Sequence, residues 1–272
     1  MRKFLCGAEE MNSSSTIDVL IPTIEKDLAT LPHVIDGLRR NVKHKIGQIY
    51  VVSPQGSKIS ALCKRKGCIF VDEKKVLPIS KKDIHYRSAR WERSGWLYQQ
   101  LLKFSGDTIC KHKYFLVIDA DTVLIRPHSF LSHSKGLYYC RNWSQPEYFR
   151  TYRKLLGSKA PSPKSFVTHY MLFDKSKLSQ LKRTIEAKHN LPWYRAIIRS
   201  IDKTKQFGFS EYETYANYVY STTPKSMILK NALNKGLKVK ASTLPQAQMK
   251  KLALSYRSLS FHERKGYSRS TR

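Results

Sequence analysis

Tyr114-Phe115-Leu116-Val117-Ile118-Asp119-Ala120-Asp121-Thr122-Val123-Leu124 is the stretch that decides the fold. Its first half is an apolar run rich in β-formers and without polar alternation, the mark of a strand buried on both faces. The run ends on two carboxylates with one small residue between them. A buried strand of an open α/β sheet delivers such residues to the carboxyl edge, where these folds place their ligands. Two carboxylates that close repel each other unless a cation lies between them, so the sharp reading is a divalent metal site. The plain reading is a strand followed by a polar turn. Asp-x-Asp is common, and only its surroundings decide between the two.

Upstream, Ile17 to Ile21 is a short apolar strand stopped by Pro22-Thr23. Leu31, Val34, Ile35, Leu38 and Val42 recur at helical spacing. Ile46 to Val52 holds a second strand, stopped by Ser53-Pro54. Ser57 to Lys66 suits a short helix capped by Gly67, and Cys68 to Val71 is a third strand ending at Asp72-Glu73. This β-α-β-α-β alternation builds a parallel sheet with right-handed crossovers. A basic, irregular segment from Lys74 to Arg93 leads to a helix over Gly95 to Phe104, directly before the central strand. Trp96, Gln99, Gln100 and Lys103 share one face of that helix at three- and four-residue spacing.

Downstream, Thr122 to Ile125 and Leu137 to Cys140 read as short strands, and Ser165 to Phe173 as a longer one. Helices are expected over Glu147 to Leu156, Lys175 to Ala187, Trp193 to Ile201, and from Phe209-Ser210-Glu211-Tyr212-Glu213 to about Tyr218. The remainder, with a Lys-rich stretch from Lys225 to Lys251 and then Ser260-Phe261-His262-Glu263, gives no clear pattern.

The charge balance is extreme, with 50 Lys+Arg against 20 Asp+Glu and a formal net charge of +30. Such a surface attracts polyanions: nucleic acid, anionic lipid headgroups or phosphorylated substrates. The cations are spread from Arg2 to Arg272, and any single cluster reads as a solvated face. The five cysteines show neither zinc-knuckle nor CxxC spacing. Reduced thiols in a cytoplasmic protein are the simplest account. The apolar run after Met1-Arg2-Lys3 is too short for a signal peptide, and no run approaches a membrane span. Contact with a membrane would be peripheral, at its inner face.

Together the stretches Ile17 to Thr23, Trp96 to Lys103, Ile118 to Asp121, His169 to Phe173 and Phe209 to Tyr215 run in order over about residues 17–220. As an ordered set they resemble GT-A-type nucleotide-sugar glycosyltransferases, and more narrowly a largely uncharacterised bacterial GT-A-like family. The resemblance implies an α/β fold, a GT-A (Rossmann-like) three-layer α/β/α sandwich around a mainly parallel mixed sheet. It implies one domain over 1–272, with a nucleotide-sugar-binding half at about 16–125, an acceptor-binding half at about 126–262 and a basic tail at 263–272.

It also assigns roles. Asp119 and Asp121 hold Mn²⁺ or Mg²⁺ against the donor's diphosphate, with Asp121 the direct ligand and Asp119 its partner; hard oxygen ligands suit these ions. His262 returns as a third ligand, or is a surface residue of the basic tail. Pro22 and Thr23 contact the base or ribose, or simply end the strand. Asp72 binds uracil or ribose, or lies in an exposed turn. Gln100 and Lys103 bind sugar hydroxyls and phosphate, while Trp96 and the leucines beside them belong to the core. His169 contacts donor or acceptor, or is a satisfied structural histidine. Glu211 is the base of an inverting transfer, taking the acceptor's proton. Glu213 is explained without catalysis by a capping box with Ser210.

The leading expectation is therefore a metal-dependent transferase moving sugar from an NDP-sugar, UDP-sugar favoured, to a glycan or lipid-linked acceptor in surface polysaccharide or glycoconjugate synthesis. A nucleic-acid-binding protein or metal-dependent nuclease is the alternative. It lacks any helix-turn-helix, zinc-finger or RNP signature, so no specific nucleic acid is expected as a partner. A nucleotidyltransferase would carry a Gly-rich phosphate loop near the first strand, where Pro22-Thr23-Ile24-Glu25 has no glycine.

Overall fold

The computed structural model of the protein describes residues 15–261. In chain order its strands and α-helices are β1 (Ile17–Pro22), α1 (Leu31–Asn41), β2 (Ile46–Ser53), α2 (Ser57–Arg65), β3 (Ile69–Asp72), β4 (Arg87–Ser88), β5 (Trp91–Glu92), α3 (Ser94–Phe104) and α4 (Gly106–Ile109). Then come β6 (Tyr114–Ile118), β7 (Thr122–Leu124), β8 (Leu131–Ser132), β9 (Lys135–Cys140), α5 (Pro146–Leu156), β10 (Tyr170–Asp174), α6 (Lys175–His189) and α7 (Trp193–Ser200). The chain closes with α8 (Glu211–Thr222), β11 (Met227–Asn231), β12 (Asn234–Leu237), α9 (Gln246–Ala253) and β13 (Ser258–Phe261).

The central sheet has the order β10-β6-β1-β2-β3. Its β6, β1, β2 and β3 run parallel, and β10 joins β6 antiparallel with Tyr170 opposite Ile118. Alternate residues of each strand face opposite layers, the period of a pleated strand. Val19, Ile21, Leu116, Ile118 and Leu172 pack with α1 and α2 on one side. Leu20, Phe115, Val117, Met171 and Phe173 pack with α3 and the helices of the second half on the other. Both faces of the central strands are thus covered, which is why the 114–118 run needs no polar alternation. The result is a three-layer α/β/α sandwich around a mainly parallel mixed sheet.

Gly67 ends α2 as expected, and the geometry explains the choice. Its φ is +55°. The Cys68 N–H donates to the Cys63 carbonyl at 2.8 Å and the Gly67 N–H to the Lys64 carbonyl at 3.3 Å. This is a Schellman closure, which needs a left-handed residue at that position.

Two expectations change. The strand foreseen over Ser165 to Phe173 begins only at Tyr170, and His169 before it is left-handed, with φ +72°. The Lys-rich remainder is ordered: β11 pairs with β9, and β12 with β13, which in turn pairs with β7. These are short strands whose partners lie far away in sequence, so no local pattern marks them. The basic tail lies outside the described residues. Among those described, no helix is long and apolar enough to cross a membrane, and Cys63, Cys68, Cys110 and Cys140 are free thiols.

Candidate functional site

At the carboxyl edge of β6 the chain turns sharply, with the Thr122 N–H donating to the Asp119 carbonyl at 3.0 Å. The turn is pinned from both sides. The Asp119 N–H donates to the His169 carbonyl at 2.9 Å, and the Phe261 N–H donates to the Asp121 carbonyl at 2.8 Å. Because β10 is antiparallel to β6, its first residues also lie at this edge. His169 therefore sits beside Asp119, at the sheet's carboxyl edge, although it precedes the strand.

The Asp119 carboxylate collects three neighbours. Lys103 Nζ donates to Oδ1 at 2.5 Å, the Tyr212 hydroxyl donates to Oδ1 at 3.2 Å, and His169 Nδ1 lies 3.0 Å from Oδ2. Lys103 is only 2% exposed. Its ammonium also donates to Glu211 Oε1 at 2.8 Å and stands 4.7 Å from the centre of the Tyr212 ring. The Gln100 amide, oriented so that both its ends are satisfied, donates to the Glu211 carboxylate and accepts from Trp96 Nε1 at 3.3 Å. A buried ammonium needs such pairing, since its desolvation is otherwise unaffordable.

The charges set one another. Burial disfavours the Asp119 anion, but Lys103 and His169 outweigh it and hold the carboxyl well below the usual range. Burial likewise works against the Lys103 cation, and Asp119 and Glu211 push its pKa up regardless. For Glu211, burial prevails over the pull of Lys103 and raises the pKa. Tyr212 is driven well up by burial and by the carboxylates of Asp119 and Glu211, so it stays a hydrogen-bond donor.

Lys103, Asp119, His169, Glu211 and Gln100 thus form one connected cluster, with Asp121 in the same turn. Asp121 is half-buried, and its Oδ1 accepts from Thr122 Oγ1 at 3.3 Å. Glu211 is 1% exposed. Its carboxylate is a partner of Lys103 and Gln100 rather than a group presented to solvent. Lys103 is buried in the same way, its ammonium held between the Asp119 and Glu211 carboxylates. Pro22 and Thr23 end β1 next to this cluster: the Pro22 carbonyl accepts from Gln99 Nε2 at 3.2 Å, and Thr23 is 2% exposed. Asp72 stands apart, across β1 and β2 from β6 and so about 14 Å along the edge at the usual strand spacing. Its carboxylate accepts from the Lys74 N–H at 3.0 Å, a turn cap. His262 lies outside the described residues, immediately after Phe261.

The capping box at Glu213 is only half made. Ser210 Oγ accepts from the Glu213 N–H at 3.2 Å. The Glu213 carboxylate does not return to Ser210; it accepts from Ser144 Oγ at 2.6 Å and from the Phe166 N–H at 2.7 Å. That ties two loops to the first turn of α8, a long-range duty the motif does not reveal.

Sequence reasoning missed Asp27, Tyr212 and Ser53. Asp27 Oδ2 accepts from the Ile24 N–H at 3.1 Å and from Thr23 Oγ1 at 3.4 Å. Burial raises its pKa and the charge of Asp121 adds to the rise, so the two carboxylates feel each other. Ser53 ends β2 fully buried, and its Oγ has no hydrogen-bond partner among the described residues. Tyr212 was legible only as the neighbour of Glu211.

The donor chemistry suits a hard cation in part. Asp119 and Asp121 offer carboxylate oxygens in a turn where Asp27 and Glu211 add negative charge and Lys103 is a buried cation. Among the described residues no group of three or more His, Cys, Asp or Glu is arranged to hold a metal. The described chain therefore supplies a partial shell, to be completed by other oxygens.

No curated protein matches the sequence. Solved structures resemble it at low identity, among them three named as glycosyl-transferring or sugar-phosphate enzymes. The apo form of mouse xyloside xylosyltransferase 1 shares 13% identity at a TM-score of 0.49, over 90% of this chain and 97% of that one. The apo WbbM bifunctional glycosyltransferase shares 12% at 0.49, over 92% and 46%. Glucosyl-3-phosphoglycerate synthase from Mycobacterium tuberculosis, in complex with phosphoglyceric acid, shares 17% at 0.29, over 40% and 34%. Over residues 15–252 the sequence matches DUF6492, a family of unknown function, and the chain belongs to that family.

Proposed function

We infer that the protein is a metal-dependent glycosyltransferase that moves sugar from a nucleotide-diphosphate donor, a UDP-sugar by preference, to a glycan or lipid-linked acceptor. One observation carries this reading. The Asp119-Ala120-Asp121 turn closes the central parallel strand at the ligand-binding edge, with Asp119 already neutralised by Lys103 and His169. Asp119 is thereby held ionised and fixed, and Asp121 follows it in the same turn, so that the two carboxylates would meet an incoming cation together. Asp121, Asp119 and His262 would hold Mn²⁺ or Mg²⁺. Bound there, such an ion supplies Lewis-acid stabilisation of charge on the departing diphosphate.

The chain's own residues provide the rest. Pro22, Thr23 and the buried Ser53 Oγ line the edge of β1 and β2, where a base or ribose would lie, and Asp72 closes that edge at β3. Gln100 and Lys103 act from behind, fixing Asp119 and Glu211 rather than touching sugar directly. An inverting reaction needs a carboxylate base within reach of the acceptor hydroxyl. Glu211 takes that role only when acceptor binding opens its pair with Lys103. The excess positive charge suits a phosphorylated acceptor or peripheral residence on an anionic membrane at its cytoplasmic face.

Thermal shift with UDP, GDP and CMP, each with and without Mn²⁺, tests the reading. Stabilisation by one nucleotide that requires the metal, and its loss in Asp121→Ala, is the expected result. Stabilisation by oligonucleotides alone would sink the transferase and favour a nuclease. Glu211→Gln should stop transfer while leaving nucleotide binding intact; normal transfer by that variant removes Glu211 as base.

A further inference from the structure

A second feature stands beside the site and is not used by it. The segment before α3 and the loop before α8 are stitched into one lobe. Lys203 Nζ donates to the Ile84 carbonyl at 3.3 Å, Arg93 Nε donates to the Gln206 carbonyl at 3.1 Å, and the Gly208 N–H donates to the Tyr86 hydroxyl at 2.8 Å. Lys81, Lys82, Arg87 and Arg90 are exposed on the first segment, and Lys203 and Lys205 on the second. Arg195 and Arg199, exposed one turn apart on α7, extend the same surface; the charge of Arg195 is felt at Asp83.

The acids of the lobe answer this charge only in part: Arg195 is felt at Asp83, Arg87 at Glu92 and Lys205 at Asp202. Asp83 accepts from the Ser80 N–H at 2.7 Å, Glu92 from the Ser94 N–H at 2.6 Å, and Asp202 from the Thr204 N–H at 2.9 Å. Each carboxylate is spent on a local turn or helix start. The salt bridges at Lys66, Lys103, His112, Lys113, Arg150, His169 and Lys182 lie elsewhere and use none of these exposed lysines and arginines. A surface on which exposed cations outnumber the acids beside them is a polyanion site in waiting.

Its position says what kind. The lobe leads directly into α3 and α8, the helices that carry Gln100 and Glu211. Even fully extended, the chain from Lys205 to Glu211 spans at most about 22 Å. Screening limits the reach of exposed charges to about 8 Å at physiological ionic strength. The lobe therefore acts by touching its ligand, and a ligand that touches both lobe and turn must be a chain rather than a small ion. No large apolar side chain is exposed on the lobe; the exposed ones are Ile24, Ile69, Trp143, Leu233, Val239 and Leu254. A bilayer surface would find nothing there to insert.

We propose that this lobe docks the acceptor, and that the acceptor is a polyanionic glycan bearing phosphate or carboxylate groups a few residues away from the reacting end. This rests on the transferase reading for the words acceptor and glycan, and on the lobe alone for binding of a polyanionic chain.

The test uses the full chain and a fluorescent heparin oligosaccharide as probe, with oligo-dT and phosphatidylcholine vesicles, with and without phosphatidylglycerol, as competitors. Two charge-reversed variants are compared. One carries Lys82→Glu, Arg87→Glu, Arg199→Glu and Lys203→Glu; the other carries Lys43→Glu, Lys45→Glu, Lys64→Glu and Lys250→Glu, which change net charge equally on other surfaces. The lobe variant should weaken heparin binding at least about tenfold and flatten its salt dependence, while the control stays within about twofold. Equal losses in both variants would reduce the effect to net charge and overturn the proposal. Preference for oligo-dT or for anionic vesicles over heparin would overturn it too. UDP thermal shift on the lobe variant separates the two readings: glycan binding that maps to the lobe without any nucleotide response leaves the surface standing and removes the transferase.

Discussion

Lys103 shows how much one side chain can decide. It joins Asp119, just past the end of β6, to Glu211 on α8, with Gln100 completing the second carboxylate. Breaking a buried pair by removing one partner leaves uncompensated charge and costs about 3–5 kcal/mol. Lys103→Met should lower stability by about that amount in urea unfolding, and Lys103→Met with Glu211→Gln should recover part of it; full additivity of the two losses would deny the coupling. Asp18 offers a separate case at the opposite edge of the sheet. It is fully buried and accepts from the backbone N–H groups of Gln48, Lys111 and His112, with His112 Nδ1 at 2.8 Å. Burial raises its pKa, but the His112 contacts and the two other N–H groups outweigh it, and the folded value is lowered. The sign follows: a depressed carboxyl contributes stability above its unfolded pKa of about 3.9, and that stability is lost as pH falls through the lower folded value. Asp18→Asn should be less stable near neutrality by about 1–3 kcal/mol and should show a shallower acid limb than the parent chain. An unchanged limb would mean that other carboxylates govern acid unfolding.

At the scale of elements, two glycines separate two kinds of constraint. Gly67 has a left-handed backbone and open space around it, the nearest atom to an added Cβ being the Arg39 guanidinium at 3.8 Å. Gly106 at the start of α4 has an ordinary backbone, but an added Cβ would run into the Phe115 ring, which is fully buried and stacked on Phe173 at 5.3 Å. Gly67→Ala should cost about 1 kcal/mol, from backbone conformation alone. Gly106→Ala should cost about 1–3 kcal/mol, because a packed core yields only by shifting side chains. Chemical denaturation of both variants gives the order, and a larger loss at Gly67 would contradict it. The same contrast explains what could be read in advance. β1, β2, β3 and β6 announce themselves because each is a local apolar run between turn residues, and the carboxyl edge then follows from their direction. The turn at 119–121 was legible for that reason. His169 was placed correctly but on the wrong element, since the apolar residues of 166–168 pack as irregular chain against α8 through Glu213. β11, β12 and β13 were invisible, because their pairing is set by partners far off in sequence rather than by their own pattern. The inward aim of Lys103 and Glu211 was equally hidden: helical spacing gives the face of a side chain, not which groups meet it across the core.

On the scale of the whole molecule, charge is the dominant unanswered term. The chain carries 50 Lys+Arg and 20 Asp+Glu, and several of its acids are already committed inside. Asp18, Asp119, Glu211 and Glu213 serve internal hydrogen bonds, so the outer surface is more cationic than the totals suggest. Like charges held on a compact surface repel one another and favour expansion. Added salt shortens that repulsion, with a screening length of about 30 Å at 0.01 M and about 8 Å at 0.15 M. The same screening weakens exposed ion pairs, but few stand to lose. Lys66–Asp36 and Arg150–Glu147 are partly exposed pairs of the kind worth about 0–1 kcal/mol, whereas Lys103–Asp119, Lys103–Glu211 and Lys182–Asp107 are sheltered. Relief of repulsion should therefore win. The melting temperature should rise as NaCl goes from about 0.01 to about 0.15 M and then level off. Phosphate at equal ionic strength should raise it further, because a multivalent anion binds the cationic lobe of the folded chain and mass action favours the state that binds. The lobe variant should keep the NaCl response and lose most of the extra phosphate response. A melting temperature that falls steadily with NaCl would show that surface ion pairs, not repulsion, set the balance in this fold.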